Sequence, residues 1–202
     1  MRRNERIVIV GATGSGKTFT ALWLLRLFYK RIQILIINTS DDEQIHKLDG
    51  IHVTKATQLT KYRFPQNPLL IYTPEASENN PVTLDSVLQW VYLRKNTFVY
   101  IDEGTNLNDG VPRPKEGFLN CYTRGRRRNV GMMFSTQRPI NVPLVVFTEA
   151  EWVFLHNLRR QKDRVIVADY TDDAMLPPVT GHNVRIFHAG EGVIYEGDVK
   201  KW

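Results

Sequence analysis

Gly11-Ala12-Thr13-Gly14-Ser15-Gly16-Lys17-Thr18 carries the residue types and spacing that hold a polyphosphate. Successive backbone N–H groups of such a glycine-rich turn point inward and cradle phosphate oxygens. A helix starting at the turn adds unsatisfied donors and the positive end of its dipole. In that setting Lys17 reaches the β- and γ-phosphates of ATP, and the Thr18 hydroxyl ligates Mg²⁺. The flanks fit: the β-branched run Arg6 to Val10 precedes the turn, and the apolar helical run Phe19 to Tyr29 follows it.

Phe98-Val99-Tyr100-Ile101-Asp102-Glu103 is the second landmark. By itself it is a core strand entering a solvated acidic turn. Downstream of a phosphate loop it reads as a buried strand delivering two carboxylates to its C-terminal edge. Asp102 would then hold Mg²⁺ through its water shell, and Glu103 would orient and deprotonate the attacking water. An acid directly after the metal acid favours ATP hydrolysis over phosphoryl transfer to a small metabolite.

Arg124-Gly125-Arg126-Arg127-Arg128 follows. Three roles suit it: a solvated basic patch, phosphate contacts to nucleic acid, or an arginine reaching a neighbouring subunit's ATP. The buried run Val130 to Ser135 then ends in Thr136-Gln137-Arg138-Pro139. An amide at that strand end suits a sensor of the γ-phosphate and attacking water; the plain alternative is a Gln opening a turn before Pro139.

The positioning elements read as an alternation of strands and helices. Lys17 to Lys30 is the first helix, and Ile34 to Ile37 is a strand buried on both faces, as in a parallel sheet. Asn38 to Asp42 is a polar loop at a strand end, where ligand-contacting residues sit in such sheets. Ile51 to Val53 and Leu69 to Tyr72 are strands, and Asn80-Pro81 caps a helix that runs to Asn96. Glu116 to Tyr122 is helical, Glu151 to Leu155 is a strand, and Arg159, Arg160, Lys162 and Arg164 form a basic stretch. Val184 to His188 and Val193 to Tyr195 flank Ala189-Gly190-Glu191-Gly192 as a β-hairpin.

The chain of 202 residues, 42% hydrophobic and 24% charged, has the composition of one globular domain spanning 1–202. A net charge of +6 favours a polyanionic partner. No run is long and apolar enough to span a bilayer, and with the first strand beginning at residue 6 the reading expects neither a signal peptide nor a preceding accessory domain. The single cysteine, Cys121, points to a reducing compartment and a core position. Histidines at metal-ligand spacing, a Ser-His-Asp arrangement and an Asn-Lys-X-Asp guanine-reading motif are all missing.

In combination, the phosphate loop, the strand ending Asp-Glu, and "RGRRRNVG" leading to "STQRP" resemble the FtsK–HerA class of DNA-pumping ATPases. The short length is most similar to the genome-packaging ATPases of tailless icosahedral viruses with an internal membrane. The resemblance covers roughly residues 6 to 170. It implies an α/β, RecA-like P-loop fold with a mostly parallel central sheet flanked by helices, and a ring, usually a hexamer, with ATP between subunits and double-stranded DNA in the pore. It gives Lys17 and Thr18 the phosphate and Mg²⁺ roles, matches Asp102 and Glu103 to the second acidic motif and Gln137 to the sensor, and places the trans-acting arginine nearest Arg126, with Arg124 and Arg127 close by.

The reading is an ATP-driven DNA translocase packaging a viral genome, acting in the host cytoplasm and at the virion packaging vertex beside a capsid-vertex or membrane protein. Loop Asn106 to Lys115 and the cluster Arg159 to Arg164 are its candidate DNA contacts. A small-molecule kinase and a non-catalytic ATP-binding assembly or secretion module are the alternatives.

Overall fold

A computed structural model describes residues 1–104 and 115–198 of the chain. The candidate DNA-contacting loop, apart from Lys115, lies outside the described residues.

Five strands are runs whose every residue is buried: β1 (Arg6–Val10), β2 (Gln33–Asn38), β4 (Leu69–Tyr72), β5 (Thr97–Asp102) and β6 (Val130–Thr136). Such runs can only be central strands covered on both faces. With β3 (Ile51–Val53), β7 (Trp152–Leu155), β8 (Asn183–His188) and β9 (Val193–Asp198) they form one sheet in the order β3-β4-β2-β5-β6-β1-β7-β8-β9. Pairing is parallel from β3 to β7 and antiparallel from β7 through β8 to β9, so the expected C-terminal hairpin is present.

Period-two alternation divides each strand between two cores. Val8 and Val10 enter one apolar cluster, and Ile7 and Ile9 enter the other. Helix α1 (Lys17–Arg26) covers the second face with Ala21, Leu24 and Leu25. A short helix, α2 (Glu43–His46), follows β2 and adds Ile45 to that core. Helix α3 (Pro81–Arg94) covers the first face with Leu84, Val87, Leu88 and Val91, one stripe at helical spacing. Its start is fixed by Pro81 in the first turn and by Asn80 Oδ1, which accepts from the N–H groups of Val82 and Thr83 at 3.1 and 3.0 Å.

Helix α3 ends at Arg94, two residues before the expected Asn96, and three larger differences separate the fold from the sequence reading. Helix α1 stops at Arg26, not Lys30; Lys30 has φ of 61°, and this left-handed conformation cannot continue a helix. Helix α4 (Glu116–Leu119) widens into a π-turn over Asn120–Arg124 instead of running regularly to Tyr122. The buried Arg6 guanidinium donates there to the carbonyls of Tyr122 (3.0 Å) and Cys121 (2.7 Å). The basic stretch after β7 leads into a helix. After α5 (Val145–Thr148), α6 (Gln161–Asp169) buries Val167 and Asp163.

Candidate nucleotide-binding site

The carboxyl ends of β2, β5, β6, β1 and β7 lie side by side, so the loops that leave them converge on one edge. The turn from Gly11 to Gly16 sits there between β1 and α1. Gly14 and Gly16 have φ of 73° and 99°, which glycine adopts without steric cost. Both neighbouring strands pin the turn. Gly11 N–H donates to Thr136 O at 3.2 Å, and Ala12 N–H donates to Asn157 O at 2.7 Å. A Cβ at Gly11 would stand 2.5 Å from Ser15 Oγ and 2.6 Å from His156 Cβ, so only glycine fits.

Lys17 and Thr18 open α1. The Lys17 side chain folds back over the turn, its Nζ donating to Ala12 O at 3.1 Å. Burial lowers its pKa, and Glu103, Asp102 and Asp42 oppose that shift. One ammonium therefore faces three carboxylates. The Thr18 hydroxyl donates to Asp42 Oδ2 at 3.1 Å.

Asp102 is the last residue of β5 and is paired in register with Asn38 of β2. Its carboxylate is buried and ringed by hydroxyl donors: Tyr100 (2.7 Å) and Ser135 (3.0 Å) on Oδ1, and Ser40 on Oδ2. Glu103 leaves the strand with φ of 50°, a conformation that costs about 1–3 kcal/mol in a non-glycine residue and clusters at functional sites. Its backbone N–H donates to Ser135 Oγ at 3.3 Å. Its carboxylate accepts from Thr136 Oγ1 (3.3 Å) and from Gln137 N–H (3.1 Å). Burial raises the Glu103 pKa, while Lys17 and the Gln137 hydrogen bond oppose the rise. Gln137 Oε1 accepts from the Thr13 hydroxyl at 2.6 Å. Thr13, Gln137 and Glu103 thus form a continuous polar chain from the turn to the second acid.

The arginine run lies elsewhere. It precedes β6, whereas Gln137 follows it, and seven residues of strand separate the two ends by about 20 Å. Arg124, Arg126 and Arg127 are exposed. Arg126 is paired with the Glu151 carboxylate, and Arg127 has no hydrogen-bond or ion-pair partner among the described residues. Arg124, Arg127, Arg128, Lys95, Thr123 and Tyr92 line a basic hollow of about 580 Å³.

One part of this edge escapes the sequence reading, and a second, which that reading singled out, stands closer to the turn than expected. His156, directly after β7, is fully buried beneath the turn. Its Nε2 shares a hydrogen bond with Thr20 Oγ1 at 3.1 Å, and its ring lies 3.7 Å from where a Cβ on Gly16 would be. Burial and Lys17 lower its pKa to about 4, so it is neutral at physiological pH. The second is the basic stretch expected to contact DNA. Arg159 and Arg160 line a cleft of about 200 Å³ together with Ala12, Thr13 and Gln137. Arg164 is not free for phosphates, because its guanidinium donates to the carbonyls of Leu176, Leu158 and Arg159 at 2.8–2.9 Å.

Oxygen donors at this edge suit Mg²⁺, which takes one or two carboxylates and a hydroxyl and completes its shell with phosphates and water. No cluster of three or more acidic, His or Cys side chains placed to hold a metal ion occurs among the described residues. No described helix is long and apolar enough to cross a membrane.

The chain is similar to known proteins in sequence and in fold. The DNA packaging ATPase P9 of Enterobacteria phage PRD1 is 27% identical over 168 residues, covering 82% of this chain and 70% of the phage protein. The genome packaging NTPase B204 of Sulfolobus turreted icosahedral virus 2, solved with ATPγS, superposes with a TM-score of 0.79 at 16% identity, covering 97% of this chain and 98% of that one. VirB4 of Thermoanaerobacter pseudethanolicus shares the fold at a TM-score of 0.67 and 12% identity, covering 95% of this chain and 88% of its own. The fold is that of the P-loop NTPases, and the resemblance to viral genome-packaging ATPases is carried by both sequence and structure. Residues 7–189 match the zonular occludens toxin family, and the chain is a member of that Zot family.

Proposed function

We propose that this chain is an ATP-driven double-stranded DNA translocase that packages a viral genome into a preformed capsid. The observation that carries the reading is the polar chain from Thr13 through Gln137 to Glu103, which ties the phosphate loop to a second acid beyond the one suited to the metal. An acid directly after the metal acid, tied to an amide at the end of the next strand, favours activation of a water over transfer to a small acceptor.

The turn's N–H groups and Lys17 hold the β- and γ-phosphates of ATP. Thr18 and Asp102 would hold Mg²⁺, which supplies charge neutralisation at the phosphates when bound. Glu103 takes the proton of the attacking water; its burial-raised pKa brings it nearer to that task. Gln137 contacts both the acid and the loop, so loss of the γ-phosphate changes its hydrogen bonds and reports turnover to β6. Arg124, Arg126 and Arg127 lie on the opposite edge from the chain's own P-loop, so they serve a neighbouring subunit's nucleotide in a homo-oligomeric ring, as in a hexamer, or the DNA phosphates. Arg159, Arg160 and Lys162 are exposed next to the nucleotide cleft and suit coupling between nucleotide and DNA. In this reading the motor acts in the host cytoplasm and at the virion packaging vertex, beside a capsid-vertex or membrane protein.

The test is ATP hydrolysis with and without long double-stranded DNA across a salt series, with Lys17→Ala as the blank. The expected result is stimulation by DNA that fades as salt rises, because phosphate contacts release counterions. ATP binding without DNA-stimulated hydrolysis would overturn the translocase reading in favour of an assembly module.

A further inference from the structure

We propose that Asp42 is a positioning residue for the magnesium-binding hydroxyl of Thr18. The role presupposes that Mg²⁺·ATP binds at Lys17 and Thr18, as proposed above. Asp42 lies in the loop after β2, on a different element from either acid of the Asp102-Glu103 pair. Its two carboxylate oxygens have separate tasks. Oδ1 caps α2, accepting from Gln44 N–H at 2.7 Å. Oδ2 accepts the Thr18 hydroxyl at 3.1 Å.

The second contact fixes what the Thr18 oxygen can do. A hydroxyl has one hydrogen and two lone pairs. To ligate a cation it must present a lone pair, so its hydrogen must be directed elsewhere. Asp42 Oδ2 takes that hydrogen, leaving the lone pairs of Oγ1 free for the metal. A charged acceptor also increases the negative character of the oxygen that faces the cation. This is the arrangement by which a carboxylate behind a ligating side chain orients it and raises its basicity.

The rest of the loop shows that Asp42 is held for the purpose. Asn38 Oδ1 accepts Asp42 N–H at 2.9 Å, and Asn38 sits at the end of β2 in register with Asp102. Between them Thr39 shares its one hydroxyl hydrogen between Glu103 O at 2.9 Å and Asp102 O, and Ser40 donates to the Asp102 carboxylate. One loop therefore grips Asp102, the Glu103 backbone and the Thr18 hydroxyl at once. The strand order makes this possible: β2 is next to β5, and α1 lies across the face between β1 and β2.

The test is equilibrium binding of ATPγS to the full chain, in Mg²⁺ and in EDTA, for the wild type, Asp42→Asn, Asp42→Ser and Lys17→Ala. Asn and Ser both keep a cap acceptor for Gln44, so the ligand-free melting temperature should move by no more than about 2 °C. Asn places an NH₂ or a neutral carbonyl against Thr18, and Ser withdraws from it. The expected result is affinity in EDTA no weaker than the wild type, since one carboxylate facing Lys17 is gone, and a loss of about tenfold in the tightening caused by Mg²⁺. Tightening by Mg²⁺ equal to the wild type in both variants would overturn the role of Asp42 and leave the nucleotide site intact. Equal losses in Mg²⁺ and EDTA, with a lowered melting temperature, would also overturn it, by showing a purely structural cap. Wild-type binding that ignores Mg²⁺ or survives Lys17→Ala would overturn the nucleotide reading itself.

Discussion

Gln137 holds Glu103 through its backbone and Thr13 through its side chain: the Gln137 N–H donates to Glu103 Oε2 at 3.1 Å, and Gln137 Oε1 accepts from Thr13 Oγ1 at 2.6 Å. The two contacts are separable by mutation. Gln137→Ala keeps the backbone donor to Glu103 and removes only the link to the turn. Glu103→Gln keeps the side-chain shape and removes the base. For Glu103→Gln we expect ATP binding within a factor of about two and a fall in kcat of about 10²–10⁴. Gln137→Ala should lower kcat less and should lose part of its stimulation by DNA. Steady-state kinetics with a parallel binding measurement checks both.

The strands that carry the acids and Gln137 were legible because each is an unbroken apolar run, buried on both faces. What sequence could not supply is adjacency. Asp42 and Thr18 meet because the sheet places β5 and β6 between β1 and β2 and lets α1 cross that gap. The sequence reading marked Asn38 to Asp42 as a ligand-facing loop and had no means of naming the partner. His156 is one histidine after an apolar run, at no ligand spacing, and its place under Gly11 follows from β7 pairing with β1. Helix α6 was hidden because Arg159 to Arg164 reads as a charged surface, while its buried members, Asp163 and Val167, are too few to set a period. The left-handed turn at Glu103 has no residue signature, since glutamate seldom adopts it.

His156 gives a pH dependence of stability with a definite sign. Its folded pKa is lowered to about 4 from an ordinary 6.5. Between those values the unfolded chain binds a proton that the folded chain does not, so stability rises with pH across the window and is lost as pH falls through it. The shift corresponds to roughly 3 kcal/mol at most. Denaturation midpoints from pH 7 to pH 4.5 should fall in the wild type, and the fall should be shallower in His156→Asn by up to one proton. An identical slope in the variant would assign the acid sensitivity to other groups.

Arg126 is held by Glu151, and the same carboxylate accepts the Arg6 backbone N–H at 2.6 Å. An arginine that acts on a neighbour's nucleotide has to leave that partner or carry it along. If Arg126 acts in trans, Arg126→Ala keeps ATP binding and loses turnover, and mixing it with Lys17→Ala subunits restores part of the activity in shared rings. Arg127→Ala, which removes an arginine without a partner among the described residues, is the matched comparison. Restoration with Arg127→Ala but not with Arg126→Ala moves the trans role to Arg127. Glu151→Gln frees Arg126 from its ion pair while keeping an oxygen that can accept the Arg6 N–H.

Gly104 follows the two acids, and its position is set by packing. A Cβ there would lie 2.2 Å from Cε2 and 2.3 Å from Cζ of Phe134. Phe134 is fully buried in β6, edge-on to Phe118, so its ring has no free space to move into. Gly104→Ala must therefore shift the backbone just after Glu103 and overpack the core, at a cost of about 1–3 kcal/mol. Because the displaced segment carries the base, turnover should fall by more than the loss of folded protein explains. Phe134→Leu trims the obstructing ring, so the double variant Gly104→Ala/Phe134→Leu should be more stable than the two single costs added together. Chemical denaturation of the four proteins measures that coupling, and simple additivity would show that the clash is relieved by movement of Gly104 alone.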